Sequence, residues 1–211
     1  MPQSLINSKA RLAVELSKLK GFGNPKLDSE QYLMDSDVGA DALWNAYFND
    51  DLKDKTVADL GCGTGILGIG ALLLGAAKVI FVDSDENVLD VAKNNLSDFI
   101  PLGESEFLHQ DVNDFSRPVD IIIQNPPFGT KQKHADKDFL LAAFKNAKII
   151  YSFHKSTSEN FIMQIAADNG FRITHRYDYK YPLKATFLFH KRRIHRIDVS
   201  CWRLENIQKT L

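Results

Sequence analysis

Val57-Ala58-Asp59-Leu60 is an apolar run too short for a helix, and it breaks at Gly61-Cys62-Gly63-Thr64-Gly65 before small and aliphatic residues continue from Ile66 to Gly75. A strand that turns through alternating glycines into an apolar helix has to bury that helix against a sheet. The pattern then repeats. Lys78 to Val82 reads as a second strand ending in Asp83-Ser84-Asp85, and Val88, Val91, Ala92 and Leu96 mark a second helix. Residues 105 to 110 read as a third strand, ending at Asp111-Val112, and residues 119 to 124 as a fourth, leading into Asn125. Phe139, Leu140, Ala143 and Phe144 suggest another helix, Ile149 to Phe153 a fifth strand, and Phe161, Ile165 and Ala166 a further helix. Such alternation predicts an α/β architecture, a parallel sheet covered by helices on both faces. Ligands of these sheets bind beyond the carboxyl ends of the strands at the switch point of strand order, so Asp83, Asp111 and Asn125 are expected to converge on one crevice. From Phe171 onward the chain is rich in strand signals, Phe171 to Tyr181, Ala185 to Phe189 and Ile194 to Leu204, with Pro182 marking a turn, which predicts an antiparallel addition to one sheet edge.

The chain of 211 residues suits one large domain with an N-terminal extension. Residues 1–50 read as a helical extension that covers the site and packs on a main domain of residues 51–211. Leu5, Leu12, Leu16 and Leu19 recur near helical spacing among Lys9, Arg11, Lys18 and Lys20. That basic amphipathic helix either packs on the domain with its charged face in water or forms an RNA-contacting arm. With 26 basic and 27 acidic residues the net charge is -1, so any nucleic-acid binding has to come from local patches. Cys62 and Cys201 make neither a disulfide framework nor a zinc-ligand spacing, and no metal site is expected. With no signal-peptide layout and no bilayer-spanning run, a cytoplasmic location is expected.

The glycine loop has two readings. A nicotinamide fingerprint would be Gly-x-Gly-x-x-Gly, whose amides hold a pyrophosphate at a helix N-terminus. Here Gly61 and Gly63 are followed by Thr64-Gly65, one residue early, and position 66 is Ile. S-adenosyl-L-methionine, which has no phosphates and carries a zwitterionic amino-acid end, suits the loop better. Asp59 is expected to accept from loop amides or from the cofactor ammonium. Asp83, with Ser84 beside it, is placed to accept from ribose hydroxyls, and Asp111-Val112 to flank the adenine.

The fourth strand stops at Asn125-Pro126-Pro127-Phe128. Two prolines fix the backbone and leave carbonyls as its polar groups, and an aromatic side chain follows: a rigid platform for a flat, amino-bearing group. Asn125 and Pro126 carbonyls would each accept one amine hydrogen, and Phe128 would stack on a base. A strand ending in a proline turn would look the same locally. The glycine loop upstream, suited to the required cofactor, favours methyl transfer.

These residues carry a family resemblance. Asp59 to Gly65, Asp83 and Asn125 to Phe128 resemble the class I S-adenosylmethionine-dependent methyltransferases that modify exocyclic amines. More narrowly, Glu30-Gln31-Tyr32, Asn125 to Lys131, Tyr151-Ser152-Phe153-His154-Lys155 and Phe189-His190-Lys191 resemble, in this order and across nearly the whole chain, the methyltransferase-like five family. The resemblance implies a Rossmann-like class I methyltransferase fold, a seven-stranded mostly parallel sheet with an antiparallel C-terminal edge and helices on both faces. It implies methylation of N6 of one adenosine in small-subunit ribosomal RNA, with Gln31 among the cofactor contacts. That family reads Glu-Gln-Tyr-x-Thr, whereas Leu33-Met34 follows Tyr32 here, so no threonine contact carries over. It also implies a heterodimer with a small zinc-binding methyltransferase activator protein, docked by strand addition.

Related enzymes with Asn-Pro-Pro-Tyr methylate glutamine amides of release factors, and that protein-amide reading remains open, as does an idle binding module. Local basic residues tilt the reading to RNA. Lys131 and Lys133 follow the catalytic loop, His154-Lys155 ends the fifth strand, and Lys191-Arg192-Arg193 lies near the C-terminus; at the strand-end face these would hold phosphates.

Overall fold

The computed structural model describes residues 6–21, 34–99, 103–127, 135–183 and 195–207. After helices α1 (Lys9–Leu16) and α2 (Ser36–Phe48), the chain alternates through β1 (Thr56–Leu60), α3 (Ile66–Leu73), β2 (Lys78–Asp83), α4 (Glu86–Ser97), β3 (Glu104–His109), β4 (Val119–Gln124), α5 (Ala135–Asn146), β5 (Ala147–Lys155) and α6 (Glu159–Asp168). Two long strands, β6 (Phe171–Leu183) and β7 (His195–Asn206), complete it. The seven strands lie in the order β3-β2-β1-β4-β5-β7-β6. The first five are parallel; β7 is antiparallel to both β5 and β6. The expected α/β sheet with an antiparallel C-terminal edge is therefore present, and strand order reverses between β1 and β4. The segment Ala185 to Phe189, read as a separate strand, lies outside the described residues.

The strands read as unbroken apolar runs because both faces are buried. Val57, Val79, Phe81, Ile121 and Ile123 face one core with α1 to α4, while Ala58, Ile80, Val82 and Ile122 face the other with α5 and α6. Leu12, Leu16 and Leu43 of the N-terminal helices belong to the first core, and α1 packs on α2 and α3. Helix α3 fits between sheet and α2 only because it is thin: a Cβ at Gly68 would lie 2.3 Å from the Phe81 ring, and one at Gly70 2.4 Å from Leu43. Ser8 caps α1 by accepting from Arg11 N–H, and Asp35 caps α2 by accepting from Asp37 and Val38 N–H.

A buried ion pair ties the turn after α2 to the last strand. Arg203 of β7 donates from Nε to Asp51 Oδ2 at 2.7 Å and from Nη2 to Oδ1 at 3.1 Å. Tyr151 of β5 donates its hydroxyl to the same carboxylate at 2.6 Å and accepts from Asn49 Nδ2 at 2.9 Å. Every charge here has a partner, the condition under which such a pair is tolerated inside a protein.

Candidate active site

Because Leu60 pairs with Gln124, the chain leaves β1 at Gly61 and leaves β4 at Asn125 side by side, at the point where strand order reverses. This is where a parallel sheet opens a crevice. On one side the glycine loop turns tightly: Gly61, Gly63 and Gly65 have φ of 64°, 55° and 83°, the left-handed region that a side chain resists. Cys62 N–H donates back to Val82 O at 2.9 Å, and Gly65 N–H to Cys62 O at 2.8 Å. A Cβ at Gly61 would meet the Phe139 ring of α5 at 2.8 Å, so this loop also has to be bare where α5 crosses it.

Asp83, at the end of β2, accepts from Gly63 N–H at 3.0 Å through Oδ2 and from Asp85 N–H at 3.0 Å through Oδ1. Its carboxylate keeps spare acceptor capacity, and burial raises its pKa from the ordinary value. Asp59 corrects part of an expectation. It is 1% exposed and accepts from a backbone amide of α3, Gly68 N–H at 2.8 Å, beyond the glycine loop itself, and so fastens α3 to β1 from beneath. Burial pushes its carboxyl up to about 7. Ser84 is exposed, its carbonyl accepting from His109 Nε2 at 3.2 Å. Asp111 is exposed and accepts from Asn113 N–H at 2.9 Å, opening a short helical turn in which Val112 is half-buried.

Sequence reading missed Asn95. It is 0% exposed on α4, and its amide makes three hydrogen bonds, both N–H groups included. Its Oδ1 accepts from Lys20 N–H at 2.8 Å, while Nδ2 donates to Lys20 O at 3.0 Å and to Thr64 O at 2.9 Å. One side chain thus clasps the glycine loop and the segment that follows α1. The local signal was weak, a polar residue in an amphipathic helix.

On the other side of the crevice stands Asn125. Its Oδ1 is buried and, among the described residues, has no hydrogen-bond partner. Pro126 is buried and Pro127 half-buried beside it. Its neighbour Gln124 donates from Nε2 to Ser152 Oγ at 2.9 Å, and Ser152 Oγ shares a hydrogen bond of 2.7 Å with His154 Nε2. His154 is the second correction. At 2% exposure it lies inside the sheet's second core face, where desolvation lowers its pKa to about 3 and keeps it neutral, so it presents no cation to a phosphate. Lys155 is half-buried at the end of β5. Gln31, Phe128, Lys131, Lys133, Lys191, Arg192 and Arg193 lie outside the described residues.

The model of the methyltransferase small domain matches residues 33–150, which include both walls of this crevice. The rRNA N(6)-adenosine-methyltransferase METTL5 of Danio rerio is 34% identical over 84% of this chain and 89% of its own, and its Drosophila melanogaster counterpart is 30% identical over 92% and 95%. The chain belongs to the METTL5 family of small-domain methyltransferases. Its fold is close to that of a crystal structure from Pyrococcus horikoshii described as a candidate RNA methyltransferase, at a TM-score of 0.88 and 43% identity over 96% of this chain and 100% of that one. The resemblance read from the glycine loop and the Asn125 motif thus extends to the family and the fold.

Proposed function

We propose that this protein transfers a methyl group from S-adenosyl-L-methionine to N6 of an adenosine in ribosomal RNA. The observation that carries the reading is the buried Asn125 Oδ1, without a partner among the described residues, beside a left-handed glycine loop in a chain of this family. An acceptor hidden from water without a donor is costly, and such a position is explained by a ligand that supplies the donor.

The cofactor, when bound, supplies a methyl group already activated on a sulfonium. The chain's residues orient. Asp83 has acceptor sites left for ribose hydroxyls, Gly63 and Gly65 let the backbone approach closely, and the N-terminus of α3, which has no side-chain cap, suits the carboxylate of an amino acid. Asp111 and Val112 stand at the next strand end for the adenine. Asn125 Oδ1 and the Pro126 carbonyl each accept one hydrogen of the adenine amine, whose lone pair is otherwise delocalised into the ring, and neither has to titrate. Those carbonyls would stabilise the positive charge that develops on the amine nitrogen as it is methylated, and the nitrogen would release its proton to solvent. Phe128 stacks on the base, and Lys131, Lys133, Lys155, Lys191, Arg192 and Arg193 hold backbone phosphates.

The motif order set out in the sequence supports small-subunit RNA as the target and a small zinc-binding activator protein as the partner. Labelled methyl transfer to separated, protein-stripped small- and large-subunit RNA, and to total protein, tests the reading. Label recovered as N6-methyladenosine from small-subunit RNA is expected; label in protein alone would establish an amide methyltransferase instead. A well-behaved, fully active lone chain would remove the activator from the scheme.

A further inference from the structure

Helix α4 buries Val88, Leu89, Ala92 and Asn95. Val88, Ala92 and Asn95 share one helical face, so an asparagine stands where the stripe calls for an apolar side chain. A buried amide is tolerated only when it is hydrogen-bonded, and the side-chain partners of Asn95 come from far off in the chain: Lys20 is 75 residues away and Thr64 is 31. The two contacts differ in kind. With Lys20 the carboxamide pairs as one peptide group pairs with another, accepting from its N–H at 2.8 Å and donating to its carbonyl at 3.0 Å. Nδ2 also donates to the Thr64 carbonyl at 2.9 Å. The Lys20 side chain points the other way, into solvent, with Nζ 3.7 Å from Asp98. What Asn95 holds is therefore the backbone that leaves α1, whatever the charge on it.

Two further contacts close this corner. A Cβ at Gly65 would lie 3.1 Å from Ala92 Cβ, so the glycine loop also rests on α4 one turn before Asn95. A Cβ at Gly70 would lie 3.5 Å from Leu16 Cδ2, so α1 leans on α3, the helix that the loop begins. The exit of α1 and the glycine loop thus meet at one buried amide. Any shift of the Thr64 carbonyl pulls on the same Nδ2 that serves Lys20, and bonds shared in this way strengthen or fail together.

We infer that Asn95 is a positioning residue that couples the segment after α1 to the cofactor loop. With Lys20 clasped, the loop is pre-set for the cofactor; with the cofactor on the loop, the clasp on Lys20 is firmer. The inference rests on S-adenosyl-L-methionine as the cofactor and holds whether the methyl acceptor is RNA or protein. It makes the N-terminal helix part of the cofactor site from behind. Such coupling is reciprocal: the factor that the clasp adds to cofactor affinity is the factor that the cofactor adds to the clasp.

That equality is the test, made on the full chain with S-adenosyl-L-homocysteine as the ligand. By calorimetry, Asn95→Ala is expected to weaken binding about fivefold, at the low end of such couplings. By NMR, exchange of the Lys20 amide proton in the wild-type chain is expected to slow by the same factor of about five when the ligand saturates. The Leu12 amide, which bonds to Ser8 O at the start of α1, is expected to change little. In Asn95→Ala the Lys20 amide is expected to ignore the ligand. Wild-type affinity in Asn95→Ala overturns the inference, as does a wild-type Lys20 amide indifferent to the ligand. Slowing shared equally by Leu12 would be general stiffening and overturns it too, and so does slowing that survives in Asn95→Ala. A wild-type chain that fails to bind S-adenosyl-L-homocysteine overturns the cofactor reading, and this inference with it.

Discussion

The two walls of the crevice are built from the same kind of strand-to-loop transition, yet they treat their polar groups in opposite ways. On the cofactor wall, Asp59, Asp83 and Asn95 each accept from a backbone N–H, and Asn95 also donates through both of its N–H groups. On the substrate wall, Gln124 Oε1, Asn125 Oδ1 and, one strand further, Trp202 Nε1 are buried without partners among the described residues. The first wall holds its shape before anything binds. On the second, Gln124 is held through Nε2 while these other ends are left to be satisfied. Pre-organisation and unmet demand are complementary: the group that has to recognise a substrate atom cannot also be consumed by the scaffold, so the scaffold grips it elsewhere.

Mutation can break this contrast, and the largest effect belongs to the unsatisfied wall. Asn125→Ala is expected to lower kcat by about 10²–10³, the loss seen when a single pre-organised polar contact to developing charge is removed, with cofactor affinity unchanged by calorimetry. Next comes pH, where the walls respond with opposite sign. The Asp59 carboxyl is raised to about 7 in the folded chain, so its contribution to stability is complete below its unfolded value near 4 and is lost as pH rises through about 7. His154 is lowered to about 3, so its contribution is complete above the unfolded value near 6.5 and is lost as pH falls. Relative to wild type, Asp59→Asn should therefore gain stability from pH 4 to 8 and His154→Gln should gain it from pH 7 to 4, each by on the order of 2 kcal/mol in denaturant titrations. Parallel trends in the two variants would refute the assignment.

Asp83→Ala removes a charged acceptor and should weaken cofactor binding about ten- to thirtyfold while kcat at saturating cofactor stays near wild type. The smallest effect is expected for Asn95→Ala, about fivefold in cofactor affinity, because water replaces part of what the amide gave the loop. If Asn95→Ala instead lowered kcat alone, the division of labour between the walls would be wrong.

Much of this was legible in the sequence because the signals were local. Alternating glycines after a short strand, and a strand stopped by two prolines, each specify a backbone shape within a few residues, so β1, α3 and β4 lie where their patterns put them. The failures arose where the deciding neighbour is distant in the chain. Asp59 looked free to face a cofactor, but Gly68, a turn into α3, takes its carboxylate. His154 looked like an exposed cation because it sits beside Lys155 at a strand end; strand β7, paired through Ser200, covers it. Asn95 carried no motif at all, since its role depends on where α4 meets the glycine loop.

The buried pair of Asp51 and Arg203 has a consequence for how the molecule is made. Asp51 precedes the first strand of the sheet, and Arg203 arrives on a strand that inserts between two others. During synthesis from the N-terminus, the early turn carries a carboxylate with no counterion until residue 203 has left the ribosome, and a buried charge without its partner costs about 3–5 kcal/mol. A nascent chain halted before that point holds the glycine loop and the Asn125 motif but not the charge that consolidates them. The pair therefore closes only when β7 is in place, so one charge contact joins the turn before the first strand to the last strand of the chain.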